Sequence, residues 1–486
     1  MLEIKVEDIV KRLYFDNPWW ELGQGTDPNF QGMPKRTYFW PFFDLVKEVS
    51  ISRAVVLMGL RRVGKTVMVY HAIQRLLNEG VEGNRILYLS LETPLYTGIA
   101  LERLVDLFTG IHGHQKDTKL HVFFDEVQYL KNWEVHLKSL VDSYKSYKFV
   151  VTGSAAAALR MKSNESGAGR FTDFLLPPLT FAEYLRFIGK EENLIQCTPG
   201  ERAPVYETND IEILNEEFVN YLNFGGYPEA VFSDAIRQNT QQFIKSDIID
   251  KVLLRDLPSL YGINDIQELN RLFTTLAYNT GNEVSLDALS KSSGVAKNTI
   301  KRYLEYLEAA YLITKVERID QNARRFQRAT NFKVYLTNPS MRAALFGQVS
   351  ADAPEMGALT ETAIFSQWQH SEDTKLYYAR WNSGEIDIVS LDDATQMPFW
   401  AVEVKWSDLP ASRYDLLDNC VEFVKLHSTI TRRVRVTTKT ISRSLTYQKV
   451  DFTLTPSSLY AYLLGKNILS GKYASPISQI GGDSPS

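Results

Sequence analysis

Ala54-Val55-Val56-Leu57-Met58-Gly59-Leu60-Arg61-Arg62-Val63-Gly64-Lys65-Thr66 decides the fold. Five apolar residues run into a glycine, and the last eight residues follow the pattern G-x-x-x-x-G-K-[ST]. A strand that enters such a loop and leaves as a helix surrounds a phosphate with backbone N–H groups and the positive end of the helix. Gly59 and Gly64 let the backbone between them, Leu60, Arg61, Arg62 and Val63, fold round the anion. Lys65 would set its ammonium beside the β and γ oxygens, and Thr66 would offer a hydroxyl to magnesium. The helix that follows carries Val69, Ile73, Leu76 and Leu77 on one stripe, as packing on a sheet requires.

A second element narrows the chemistry. The apolar run Val122-Phe123-Phe124 leads into Asp125-Glu126, a pair of carboxylates at a strand end. Asp125 is suited to the hydrated magnesium and Glu126 to polarising the attacking water, so ATP and Mg2+ are the expected cofactors and hydrolysis the expected reaction. A third strand, Phe149 to Gly153, ends at Ser154, which reads equally as a γ-phosphate sensor or as the N-cap of a helix over 155–160.

Working outward, β-branched runs, a further strand at Ile86 to Leu91 among them, alternate with helical patterns from residue 53 to about 187, which implies a parallel sheet flanked by helices. At 486 residues the chain is too long for one core. The expected division is an aromatic lead-in over 1–50, with a helix at Phe42 to Val49, and a P-loop ATPase core over 51–195. A helical lid over 196–280, a winged helix-turn-helix over 281–345, an α/β domain over 346–474 and a disordered tail over 475–486 follow. No apolar run approaches the ~20 residues of a membrane span, and the first residues lack a signal-peptide pattern. A cytoplasmic protein without membrane contact is expected. Cys197 and Cys420 lack disulfide or zinc spacing and are expected to be buried thiols. The net charge of -4 carries no nucleic-acid signature, so any such partner must be read from local charge.

That local charge lies between Lys291 and Lys333, where ten basic residues stand against four acidic ones. A short helix, a turn at Gly294 and a second helix from Ala296 look like a winged helix-turn-helix. Its second helix would present Lys297, Asn298, Lys301 and Arg302 outward and keep Ile300, Tyr303, Leu304 and Leu307 inward. A ribbon with Arg324, Arg325 and Arg328 would join the strands Tyr311 to Ile319 and Phe332 to Leu336. DNA is the expected partner of this face, with protein docking as the alternative.

A second constellation follows. Glu361 lies in a helical stretch, Asp387 in a strand, and Glu403-Val404-Lys405 in the next, where a period of two aims Glu403 and Lys405 at one face. Carboxylates with a lysine can hold a metal and stabilise a phosphodiester under attack, or they can form a cross-strand ion pair. The order of these residues resembles the PD-(D/E)XK nuclease core.

GLRRVGKT, FFDEVQYLKNW, VVTGSAAAAL, GAGRFTDFLLPPLTFAEYL, FGGYPEAV, LLRDL and KVYLTNPSMRAALFG together resemble a large prokaryotic family of AAA+-related ATPases with a C-terminal domain of uncharacterised function, over about 35–465. The resemblance implies that Arg170 matches the arginine that completes a neighbour's site; a surface salt bridge is the other reading of it. An arginine supplied in trans implies a homo-oligomer, a dimer at the least or a ring such as a hexamer. Three functions follow from these readings: a motor that remodels branched or duplex DNA in repair, recombination or defence, an ATP-gated metal-dependent DNA nuclease, and a signalling or protein-remodelling ATPase without DNA.

Overall fold

The apolar stretch before the loop is strand β1 (Ala54–Met58), buried along its whole length. The computed structural model describes residues 5–21, 23–153, 169–200, 204–320, 331–371, 374–381, 383–427 and 433–470. The chain divides into two compact units, Met1–Pro177 and Pro178–Ser486.

In the first unit β1 is joined by β2 (Ile86–Ser90), β3 (Leu120–Asp125), β4 (Tyr147–Gly153) and β5 (Phe171–Leu175) in the order β2-β3-β4-β1-β5. Every pairing is parallel. All five strands therefore end at one edge, where ligands of open α/β sheets bind. Four of the five strands were expected to within two residues at each end. The fifth was not expected: Phe171-Thr172-Asp173-Phe174-Leu175 is buried only at Phe171 and Phe174, lies at the sheet's border and carries two polar residues, so no apolar run marks it.

The lead-in packs on the same unit. Its aromatic helix spans Phe39–Lys47 and buries Phe39, Phe42, Phe43 and Val46. Strand β2 is the other border, and the lead-in supplies it with partners. Asn17 donates to the Tyr88 carbonyl at 2.9 Å and accepts from its N–H at 2.6 Å. The indoles of Trp19 and Trp20 donate to the Ile86 carbonyl at 3.1 and 2.8 Å. An edge that would otherwise be open for pairing is closed in this way.

One residue of this sheet opposes folding. Lys148 on β4 is 3% exposed, and burial pulls its ammonium down to about 8, with Glu48 acting weakly the other way. The unfolded chain holds this proton up to the ordinary value of 10.5. Stability therefore rises with pH between about 8 and 10.5 and carries the full penalty below that window. Lys148→Met is expected to raise stability at pH 7 by about 1–2 kcal/mol, with the gain fading above pH 8, as read by denaturant titration at several pH values.

The second unit opens with a helix, Phe181–Phe187, capped reciprocally by Thr180 and Glu183. A hairpin of β6 (Ile195–Thr198) and β7 (Val205–Thr208) follows, at the start of the segment expected to be mostly helical. Strand β6 is exposed beyond Ile195 and places Cys197 in solvent, which corrects the expectation for that thiol; Cys420 is buried as expected. The helix Ile211–Phe224 leads into the turn at Gly225, and Gln241–Asp250 and Val252–Asp256 are wide-turned π-helix.

The rest of this unit is a nine-stranded sheet. It contains β8 (Glu283–Ser285), β9 (Ile313–Ile319), β10 (Asn331–Leu336), β11 (Leu376–Arg380), β12 (Glu385–Leu391), β13 (Pro398–Glu403), β14 (Arg433–Thr438), β15 (Arg443–Tyr447) and β16 (Val450–Pro456). The order is β15-β16-β14-β13-β12-β11-β9-β10-β8. The expected boundary at 345/346 does not divide it. Strand β9, from the segment expected to be a winged helix-turn-helix, pairs in parallel with β11, with Tyr377 opposite Glu317 and Ala379 opposite Ile319. The reason is physical, since a short three-stranded sheet presents an open edge and β11 satisfies it. Two helices, Met356–Trp368 and Ser457–Ser470, are buried nearly all round against this sheet. Among the described residues no helix is long and apolar enough to cross a membrane.

Candidate nucleotide site and acid cluster

The loop after β1 turns through two left-handed residues, Arg62 at φ 65° and Gly64 at φ 97°, and enters the helix Lys65–Asn78. This helix buries Val69, Ile73 and Leu76 as expected, with Leu77 half-buried. Successive N–H groups of such a turn converge, and the helix adds its positive end. Gly59 is required by close approach: a Cβ there would lie 2.3 Å from the Leu176 carbonyl oxygen. The Lys65 ammonium is buried under the loop and donates to the Gly59 and Leu60 carbonyls at 3.1 and 2.8 Å. Arg61 reaches the Tyr129 hydroxyl at 3.5 Å.

Thr66 donates to Asp125 Oδ2 at 2.9 Å, so the expected hydroxyl and carboxylate meet at the strand ends. Two further residues hold this carboxylate and were not expected. Tyr88 on β2 donates to Oδ2 at 3.0 Å, and the Thr152 hydroxyl on β4 donates to Oδ1. Burial, then the neighbouring Glu126, push the Asp125 carboxyl up, and the hydrogen bonds from Thr152, Thr66 and Tyr88 pull it down. A cation beside it would favour the charged form in the same way. A hydroxyl and a buried carboxylate side by side, with a buried ammonium under the same loop, fit a magnesium-bound triphosphate.

Glu126 is left-handed at φ 56°. Its N–H donates to Thr152 Oγ1 at 3.2 Å, and the Gln128 amide donates to its carboxylate. Arg36, 6% exposed, was also missed: it donates to the Val63 carbonyl at 2.8 Å and to the Pro177 carbonyl at 3.0 Å, pinning the loop from behind.

Ser154 lies outside the described residues, as do Arg324, Arg325 and Arg328. Arg170 is not brought to the phosphate loop of its own chain. Its carbonyl accepts from Ala54 at the start of β1, the opposite edge of the sheet, and its Nε lies 2.9 Å from both oxygens of Asp142.

Two helices joined by a turn stand where they were expected. Ser285 caps Leu286–Ser293, Gly294 turns the chain at φ 74°, and the second helix is Lys297–Ala309. Ile300, Tyr303, Leu304 and Leu307 are buried, while Lys297, Asn298, Lys301 and Arg302 are exposed. Lys297 is paired with Asp287. Lys333 is the correction within this basic stretch: it is 3% exposed and faces the interior.

The C-terminal residues also come together. Lys405 Nζ lies 2.5 Å from Glu403 and 3.8 Å from Asp387, and Asp387 Oδ2 accepts from the Val404 N–H at 2.8 Å. Glu361 reaches the same place from its helix, and burial, then Asp387, push its carboxyl up to about 7. The centre of the cluster is taken, however, by Lys333. Its Nζ lies 2.6 Å from Glu385, 2.8 Å from Glu361 and 3.5 Å from Asp387. Among the described residues no group of three or more His, Cys, Asp or Glu side chains is arranged to hold a metal ion. The cluster as it stands does not fit a divalent cation.

Comparison with known proteins agrees with the first unit's geometry. Residues 52–185 match the family described as AAA domain, and residues 215–352 match a Domain of unknown function (DUF8612). An uncharacterized protein of Methanocaldococcus jannaschii is 25% identical over 354 residues, 71% of this chain and 74% of the relative. One of Haemophilus influenzae is 24% identical over 302 residues, 61% of this chain and 70% of that protein. Among solved structures, the replication initiator DnaA bound to AMPPCP and single-stranded DNA covers 58% of this chain and 92% of its own, at 12% identity and a TM-score of 0.29. Cdc6p from Pyrobaculum aerophilum covers 72% and 98%, at 11% identity and a TM-score of 0.27. Likenesses at that level establish no common ligand. The phosphate loop, the paired acids at the strand ends and the match over 52–185 together make this part of the chain an AAA-type P-loop ATPase domain.

Proposed function

We propose that the chain is a magnesium-dependent ATPase that acts on DNA, coupling turnover in a homo-oligomer to remodelling of branched or duplex DNA. The observation that carries the DNA half is the exposed face of Lys297–Ala309, where Asn298, Lys301 and Arg302 stand clear of the buried stripe on the same chain as the phosphate loop. In the ATPase half, Lys65 leaves the Gly59 and Leu60 carbonyls for the phosphate oxygens. Bound magnesium would neutralise charge on the β and γ phosphates, held by Thr66 and Asp125. Glu126 orients the attacking water and takes its proton. Arg170 would serve a neighbouring subunit after exchanging Asp142 for a γ-phosphate. A gated nuclease is the weaker reading, because an ammonium occupies the middle of the acid cluster.

The test is ATP turnover and DNA affinity with duplex and four-way-junction DNA at low and moderate salt. Stimulation by DNA and salt-sensitive binding are the expected results. Lys301→Glu combined with Arg302→Glu should flatten the plot of log affinity against log salt by about two units, as two lost phosphate contacts require. Turnover indifferent to DNA, with no salt-sensitive binding, overturns the reading in favour of a protein partner.

A further inference from the structure

We infer that Lys333 is an internal cation that takes the place of a divalent metal in the acid cluster of the second unit, so that the cluster is complete without a metal ion. The inference stands apart from the DNA reading. Its geometry is that of a filled site. One buried ammonium contacts three carboxylates, Glu361 from a helix and Glu385 and Asp387 from β12, at 2.6 to 3.5 Å. The ring of Tyr378 lies 5.3 Å from the ammonium on a further side, and the Tyr335 hydroxyl donates to Glu361 at 2.5 Å.

Magnesium would need carboxylate oxygens at about 2.0–2.1 Å and several waters besides. Here the oxygens are engaged by an ammonium that belongs to the chain and cannot diffuse away. Lys405 covers Glu403 and Asp387 from the other side, and the remaining oxygen of Asp387 is held by the Val404 N–H. A divalent ion brought into this space would meet two positive charges in a buried setting, where repulsion is poorly screened. Glu403 Oε2 is buried with no hydrogen-bond partner, and a single carboxylate oxygen does not make a magnesium site. The placement has a structural result too. Lys333 belongs to β10 and Asp387 to β12, so the ammonium ties together strands separated in the sheet by β9 and β11.

The test is Mn2+ binding, followed by the electron paramagnetic resonance signal of the free ion. It uses the full-length chain without nucleotide and with the phosphate-loop ion site removed by Thr66→Ala and Asp125→Asn. With Lys333 intact, adding Asp387→Asn is expected to change Mn2+ uptake by nothing measurable. Lys333→Met is expected to create one Mn2+ site at least about tenfold tighter than any remaining uptake, and Asp387→Asn in that background should abolish it. Mn2+ bound with Lys333 in place and released by Asp387→Asn overturns the inference. A folded Lys333→Met chain that gains no site overturns it equally. If Lys333→Met fails to fold, the first comparison still decides.

Discussion

Glu126→Gln is expected to lower ATP turnover by about 10²–10³-fold while ATP affinity stays within about threefold. The amide keeps the shape of the side chain, and its oxygen still accepts from Gln128, but it cannot take a proton from water. The contacts that would hold nucleotide, those of Lys65, Thr66 and Asp125, are made by other side chains. The loss should therefore fall on kcat and leave binding alone. Steady-state phosphate release and equilibrium binding of a fluorescent ATP analogue measure the two separately. Turnover close to that of the unaltered chain would remove Glu126 from the reaction and leave the base to be sought elsewhere.

Gly59→Ala is expected to destabilise the first unit by about 3 kcal/mol and to abolish nucleotide binding with it. The added methyl would meet the Leu176 carbonyl oxygen at 2.3 Å and the Val63 side chain at 3.2 Å. The carbonyl cannot turn aside, because the N–H of Leu176 donates to Met58 at 2.7 Å and fixes the chain that follows β5 against β1. The clash must open either the sheet border or the loop. Thermal melting and nucleotide affinity read the two effects. A variant that melts and binds as before would show that Leu176 yields, and that the glycine serves only the phosphate.

Both predictions rest on a site whose outline could be read locally. Strand, glycine loop and helix are consecutive, and the acids sit at the end of their own apolar run, so neighbouring residues carried the signal. What escaped was whatever the sheet order brings together. Tyr88 and Thr152 meet Asp125 from 37 and 27 residues away, and their own segments look like ordinary strands. Arg36 lies among the aromatic residues of the lead-in, and nothing beside it indicates that it will grip the loop.

In the second unit the meeting of Glu403, Lys405 and Asp387 was legible for the same local reason, although β13 ends at Glu403 and Lys405 reaches its partners from beyond the strand and not by alternation along it. Lys333 was misread because it is one more cation in a basic stretch, and a linear count cannot tell a solvated lysine from a buried one. Its strand pairs with β9 on one side and β8 on the other, and that pairing turns the side chain inward.

The continuity of β9 with β11 bears on how such a protein could be assembled and reshuffled. A pair of helices with a small sheet is easily pictured as a cassette, spliced in or out at a linker. Here the border of the module is a row of backbone hydrogen bonds, and its β10 carries the counter-charge for acids encoded some fifty residues later. Exchanging that module for another would strip a strand edge and unbalance a buried charge in one step. The two segments therefore form one structural piece, in which a change on either side reaches the other through the strand edge and the buried charge.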